Sequence, residues 1–178
     1  MPDLQIVTHR LVIRGHRPGD QDDLLSALEE SKTELQKWMN WATPWPSGEQ
    51  QAEWLHQSVA DLPDKARHMR FGVFHRIDGK FLASLGCTTL KPGHFHLSYW
   101  ARSGETRSGY TTEAVMAFCQ HLLYHQGAER IESGCEISNI ASQRVLEKAG
   151  FVYETDWENK FDNGVARQEK LYAITNLL

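Results

Sequence analysis

The stretch RSGYTTEAV, residues 107–115, decides how this chain is read. An arginine, a serine and a glycine precede a tyrosine and two threonines. An apolar stripe follows, with Val115, Phe118 and Leu122 near helical spacing. The stretch therefore marks a helix start, and two readings fit it. In the first, Ser108 or Thr112 caps an ordinary helix and Glu113 lies in its first turn. In the second, the unpaired N–H groups and the positive dipole end of the helix receive a phosphate or pyrophosphate. Gly109 would let that ligand approach the backbone closely. Arg102 and Arg107 would add positive charge, and Thr111 and Thr112 hydroxyl donors. The stretch is neither a Walker loop nor a GxGxxG fingerprint, since both need more glycines.

Working outward, FHLSYWA (95–101) reads as the strand that feeds this loop, and ERIESGCEI (129–137) as the strand after the helix. Upstream, THRLVIRGH (8–16) alternates, with Leu11 and Ile13 on one face. RPGDQDDLLSALEES (17–31) reads as a helix with acids in its first turn. SGEQQAEWLHQSVADL (47–62) opens with Ser47 and Gln50 at capping-box spacing, and Trp54, Leu55, Val59 and Leu62 follow near helical spacing. MRFGVFHRI (69–77) and KFLASLGCTTL (80–90) are strands joined through Asp78-Gly79, a hairpin signal, and KPG (91–93) marks the next turn. NIASQRVLEKAGF (139–151) is a short helix stopped by Gly150. Segments 151–161 and 165–175 close the chain as a hairpin around DNG (162–164). The order predicts an α/β fold with a mixed sheet, parallel only in its central strand–helix–strand section.

Composition narrows the function classes. A chain of 178 residues fits one domain, 1–178. With 40% hydrophobic and 24% charged residues it is an ordinary globular sequence. A net charge of −4 argues against nucleic acid as the main partner. The N-terminus resembles neither a signal peptide nor a membrane span. Cys87, Cys119 and Cys135 form no CxxC pair and read as buried reduced thiols, so a cytoplasmic protein with no membrane partner is expected. His94 with His96, and His121 with His125, have metal-like spacings but no evident carboxylate or cysteine partner, so no metal is expected.

In SNIASQRVLEKAGF, Asn139 stands at a helix start with Ser142 three residues on, both facing one side of the first turn. Asn139 is either an N-cap or part of a site. Together with YWARSGETRSGYTTEAV, this segment resembles the GCN5-related N-acetyltransferase superfamily. The nearer likeness is its Rim-type branch, which acetylates the N-termini of ribosomal proteins. Tyr99-Trp100, Gly109-Tyr110, Thr112-Glu113-Ala114, Asn139, Ser142, Glu147, Lys148, Gly150 and Phe151 carry the resemblance. The opening THRLVIR (8–14) and the tryptophan-rich LQKWMNWATPWP (35–46) extend it over nearly the whole chain. Thr106 and Thr111 depart from the pattern, and the β-branch at 111 crowds the approach to the backbone. His96 and Ser98 replace the usual glutamate and glycine.

The resemblance implies a mostly antiparallel twisted sheet with about four helices and a splay between its two central strands. It implies acetyl-CoA as co-substrate, with the pantetheine beside Trp100 and Ala101. The pyrophosphate then lies on Arg102, Arg107, Ser108, Gly109, Tyr110, Thr111 and Thr112. Ser142 is the implied proton donor to the thiolate, and Asn139 orients the pantetheine or a water. His96 is a candidate base by its ordinary pKa, or a surface histidine on an edge. Glu136 is a weaker candidate. Trp38 and Trp41 are either core or the floor of an acceptor groove. The expected acceptor is a protein N-terminal amine, ribosomal by resemblance alone. A small amine (polyamine, amino acid or aminoglycoside) and a non-catalytic acetyl-CoA-binding regulator are the alternatives, and a homodimer is compatible with each. The acids at 20–30 would favour a polycation if they faced the acceptor.

Overall fold

Leu11 and Ile13 are fully buried while Val12 and Arg14 are not, so their segment is a strand with one face in the core. The computed structural model, which describes residues 4–51, 53, 68–161, 164 and 166–175, makes it the second strand, β2 (Leu11–Arg14). A strand absent from the sequence reading, β1 (Gln5–Val7), pairs with it antiparallel. Then follow α1 (Gln21–Trp38), a 3₁₀ turn (Asn40–Ala42), β3 (His68–His75), β4 (Phe81–Lys91) and β5 (His94–Ala101). After a second 3₁₀ turn (Ser103–Glu105) come α2 (Tyr110–His125), β6 (Arg130–Glu136), α3 (Ile140–Lys148), β7 (Val152–Lys160) and β8 (Ala166–Thr175). Helix α1 starts later than expected and runs seven residues longer, because KTELQKW holds no breaker. The Ser47–Gln50 capping box forms reciprocally, with bonds of 2.8 and 3.3 Å. Trp54, Leu55, Val59 and Leu62 lie outside the described residues.

The strands form one sheet in the order β1-β2-β3-β4-β5-β6-β8-β7. Every pairing is antiparallel except β5 with β6, which α2 connects as a crossover. Helices α2 and α3 cover one face, where Val115, Phe118, Leu122 and Leu146 pack on Leu85, Leu97 and Ile131. On the other face Leu24, Ala27 and Leu28 of α1 pack on Phe74, Phe81 and Trp100. Each face carries an apolar layer, and burial of this kind is the main stabilising term.

The central pairing is short. β5 and β6 pair only at His94–Arg130, Phe95–Ile131 and His96–Glu132. Beyond that point β5 continues along β4 to Ala101, and β6 continues along β8 to Glu136. Each strand keeps its outer partner and leaves its inner one, so the sheet opens as a fork. His96 and Glu132 stand at its apex.

Candidate active site

Gly109 is the N-cap of α2, with φ +80°, and no side chain caps that helix. The capping reading of Ser108 and Thr112 is therefore not what the fold adopts. Arg107 also has positive φ, at 65°. The backbone turns sharply there, and the first N–H groups of α2 face outward without side-chain competition. Arg107, Ser108 and Gly109 are exposed, and Tyr110, Thr111 and Thr112 are half-buried. A groove of about 560 Å³ begins here, with Thr8, His9, Gly109, Thr112 and Lys148 in its lining.

Sequence reasoning missed the cation that braces this turn. Arg10 on the β1–β2 loop bonds Glu113 through Nε at 2.7 Å and the Ser108 carbonyl through Nη1 at 2.9 Å. Its guanidinium also lies 4.6 Å from the Tyr110 ring centroid. Burial alone would raise the Glu113 carboxyl, but bonds from Thr8 and Arg10 hold it below the usual range.

Arg102 requires a correction. The sequence reading placed it on the pyrophosphate, but the residue is buried and turned into the α1 face. Its Nε bonds Glu30 at 2.7 Å and its Nη1 bonds Asp23 at 2.6 Å. Low dielectric strengthens such pairs, and here they clamp α1 onto the end of β5. Asp23 and Glu30 are engaged by these contacts, and Glu29 accepts from Trp45 Nε1 at 3.0 Å. Asp20 takes both terminal nitrogens of Arg14, at 2.7 and 2.9 Å.

On the α2–α3 side of the fork, Ser142 and Tyr99 meet. Ser142 Oγ lies 2.8 Å from Tyr99 Oη, and Tyr99 also donates to the Ser142 carbonyl at 3.1 Å. Burial pushes the Tyr99 hydroxyl well above its ordinary pKa, so it stays protonated and can donate. Asn139 is the N-cap of α3, its Oδ1 accepting the Ser142 N–H at 3.1 Å. Cys135 lies on this side as well, and burial pushes its thiol up to about 11. Trp100 packs in the α1 layer, and Ala101 ends the free arm of β5.

His96 is not on an edge. It sits on the fifth of eight strands, half-buried, in register with Glu132. Burial lowers its pKa and Glu132 works the other way. Glu136 pairs with Arg167 at 2.9 Å and accepts from Ser138 at 2.8 Å. Arg167 also donates to the Lys37 carbonyl at 3.0 Å, which ties the end of α1 to β8. Trp38 ends α1 next to Lys37, and Trp41 lies in the 3₁₀ turn that follows. Trp38 is half-buried and bonds Glu34, whereas Trp41 is 46% exposed. Among the described residues no three His, Cys, Asp or Glu groups gather as a metal site.

The model of the family described as "Acetyltransferase (GNAT) domain" matches residues 10–152. The chain belongs to the GNAT acetyltransferase family. Members of this family take the acetyl group from acetyl-CoA. The chain is 29% identical over 117 residues to YjcK of Bacillus subtilis (strain 168), named a probable N-acetyltransferase; the match covers 64% of this chain and 65% of that one. Solved structures share the fold. RimL, a ribosomal L7/L12 alpha-N-protein acetyltransferase in complex with coenzyme A, superposes with a TM-score of 0.83 at 19% identity, covering 97% of this chain and 98% of that one. MccE, a microcin C7 self immunity acetyltransferase in complex with acetyl-CoA and AMP, gives 0.82 at 16% identity, covering 95% and 94%. Among the described residues of this GNAT chain no helix is long and apolar enough to cross a membrane.

Proposed function

We propose that this GNAT chain transfers the acetyl group of acetyl-CoA to the N-terminal α-amine of a protein, ribosomal by likeness, in a ternary complex. The observation that carries the reading is the Ser142–Tyr99 hydroxyl pair at the open fork. The fork, the uncapped N-terminus of α2 and the groove lined by Gly109 and Lys148 support this reading. Acetyl-CoA supplies the acetyl group already activated as a thioester. The N–H groups of residues 107–112 hold the pyrophosphate, and the arm of β5 at Trp100 and Ala101 orients the pantetheine. Ser142 gives its proton to the departing sulfur and Tyr99 replenishes it. Asn139 fixes the turn that aims Ser142.

Two arguments favour an α-amine. Its reference pKa is near 8, so about a tenth is neutral at pH 7, whereas lysine near 10.4 needs a far stronger base. Trp38 and Trp41, poised where α1 meets β8, suit a peptide lying across the mouth of the fork. The polycation alternative is weakened at 20–30, because three of the five acids there, Asp20, Asp23 and Glu30, hold arginines of this same chain and a fourth, Glu29, accepts from Trp45.

The deciding experiment is mass spectrometry of a proteome incubated with the enzyme and isotopically labelled acetyl-CoA. Label on protein N-termini is expected, and label on small amines alone would defeat the reading. A second measurement checks the donor site. Gly109→Val forces a β-branched residue into a left-handed backbone and is expected to weaken donor binding about tenfold by calorimetry. The fold should survive, because a β-carbon at 109 meets only Arg10 Nη2 at 3.4 Å.

A further inference from the structure

The α1 side of the fork holds a carboxylate that the reading above does not use. Glu169 on β8 is only 9% exposed. Its register partner across β6 is Glu136. The side chain leans over Gly134 instead, and its Oε2 lies 2.5 Å from where a β-carbon on residue 134 would stand. A side chain at 134 would push the Glu169 carboxylate out of this place, so the glycine leaves room for it. Gly134 belongs to the free arm of β6, two residues past the last β5–β6 pair. Its neighbour Cys135 points into the α2–α3 core, so position 134 faces the opposite side. Ser142 and Glu169 thus approach the fork from its two faces.

The surroundings of Glu169 suit a cationic guest. Asn159 Nδ2 donates to Oε2 at 3.0 Å and fixes the carboxylate plane. Trp157 Nε1 lies 3.7 Å from the same point above Gly134, which gives the site an aromatic wall. Arg167, two residues away on the strand, pairs with Glu136. A buried carboxylate partnered by a neutral amide is poised for an incoming ammonium. Burial also raises its pKa above the usual glutamate range, which strengthens it as a base. His96, at the apex, is a half-buried imidazole whose pKa burial lowers against the opposing pull of Glu132.

We propose that Glu169 receives the acceptor amine, binding its ammonium and taking a proton from it before attack. This rests on the acetyl-transfer reading. Glu169 accepts one proton from the ammonium and passes it to water. The neutral nitrogen then bonds to the acetyl carbon as the carbon–sulfur bond breaks. The sulfur leaves with a proton from Ser142, Tyr99 replaces that one across the 2.8 Å contact, and the second proton shed by the nitrogen returns to Tyr99 through water. One proton is released for each amide and free thiol formed.

The test is Glu169→Gln, which keeps the size and still accepts from Asn159. The probe is a hexapeptide with a free α-amine. With it, kcat/KM is expected to fall about thirtyfold at pH 7, the loss of one charged hydrogen bond. Peptide binding to the coenzyme A complex should weaken about tenfold by calorimetry, while coenzyme A affinity stays within twofold. The part of the acidic limb of the kcat/KM profile that lies below the peptide amine's own titration should disappear in Glu169→Gln and persist in Glu169→Asp, a change that a merely structural role would not produce. A variant within twofold of wild type, with the same acidic limb, overturns the assignment and leaves acetyl transfer standing. A wild-type enzyme that neither binds nor acetylates any amine overturns both.

Discussion

Replacing Ser142 by alanine is expected to lower turnover about a hundredfold and to leave the donor dissociation constant within threefold. Proton transfer by a positioned side chain contributes about a hundredfold or more. The geometry separates this effect from simple damage. The N-cap of α3 is Asn139 bonded to the Ser142 backbone N–H, so removing the hydroxyl leaves the cap intact. What disappears is the 2.8 Å contact between Ser142 Oγ and Tyr99 Oη. Tyr99→Phe should cost less, about tenfold, because Ser142 retains its own proton for the sulfur. The double variant should fall little below Ser142→Ala alone, since groups acting as one relay are not additive. Thiol release and calorimetry give the two quantities. Unchanged turnover in Ser142→Ala would remove the proton-donor role. Additive losses would separate the two hydroxyls into independent parts.

The sequence carried the local part of this site and not its long-range part. The glycine turn before α2, the asparagine cap of α3 and most strands follow from spacing within a few residues. β1 escaped because three residues at a sheet margin, Gln-Ile-Val, are too few to establish a period in the sequence. Arg102 was misread because the acids that hold it lie 72 and 79 positions away. From its own neighbours it is simply a cation beside a phosphate loop. Tyr99 and Ser142 are 43 positions apart, and only the crossover through α2 brings them together. Glu169 is the sharpest case. In ARQEKLYAIT the alternation makes it look like a solvent-facing charge. Only the register of β8 against β6, beside a glycine, puts it under the fork. Periodicity tells which residues share a face, but register tells what they face.

Of the nine histidines, His16 is buried, in a way stability should reveal. It is 7% exposed, with Phe74 and Phe81 ring centroids at 6.4 and 6.2 Å, and both ring nitrogens are buried without a hydrogen-bond partner among the described residues. Burial is the main reason its pKa falls from 6.5 to about 4. Asp20 opposes the fall, but it is bound by Arg14, which works the other way with Arg70. Folding therefore keeps the ring neutral while the unfolded chain takes up a proton below about pH 6.5. Between pH 6.5 and about 4 the unfolded state binds more protons, so stability drops as pH falls, by about 1.4 kcal/mol per unit. The loss from this residue totals about 3 kcal/mol and stops near pH 4, where both states are protonated. Below that, carboxylates such as Glu30, held low by its bond from Arg102, continue the decline. His96 and His121 are also lowered by burial and share the upper window, so the contribution of His16 is read as a difference. Urea unfolding at pH 7.5, 6, 5 and 4.2 should show His16→Leu losing far less stability than wild type over that range. At pH 5 the variant should be the more stable of the two, since two unsatisfied nitrogens are gone as well. Parallel curves for the two proteins would mean that His16 is protonated in the folded state and that its pocket admits water.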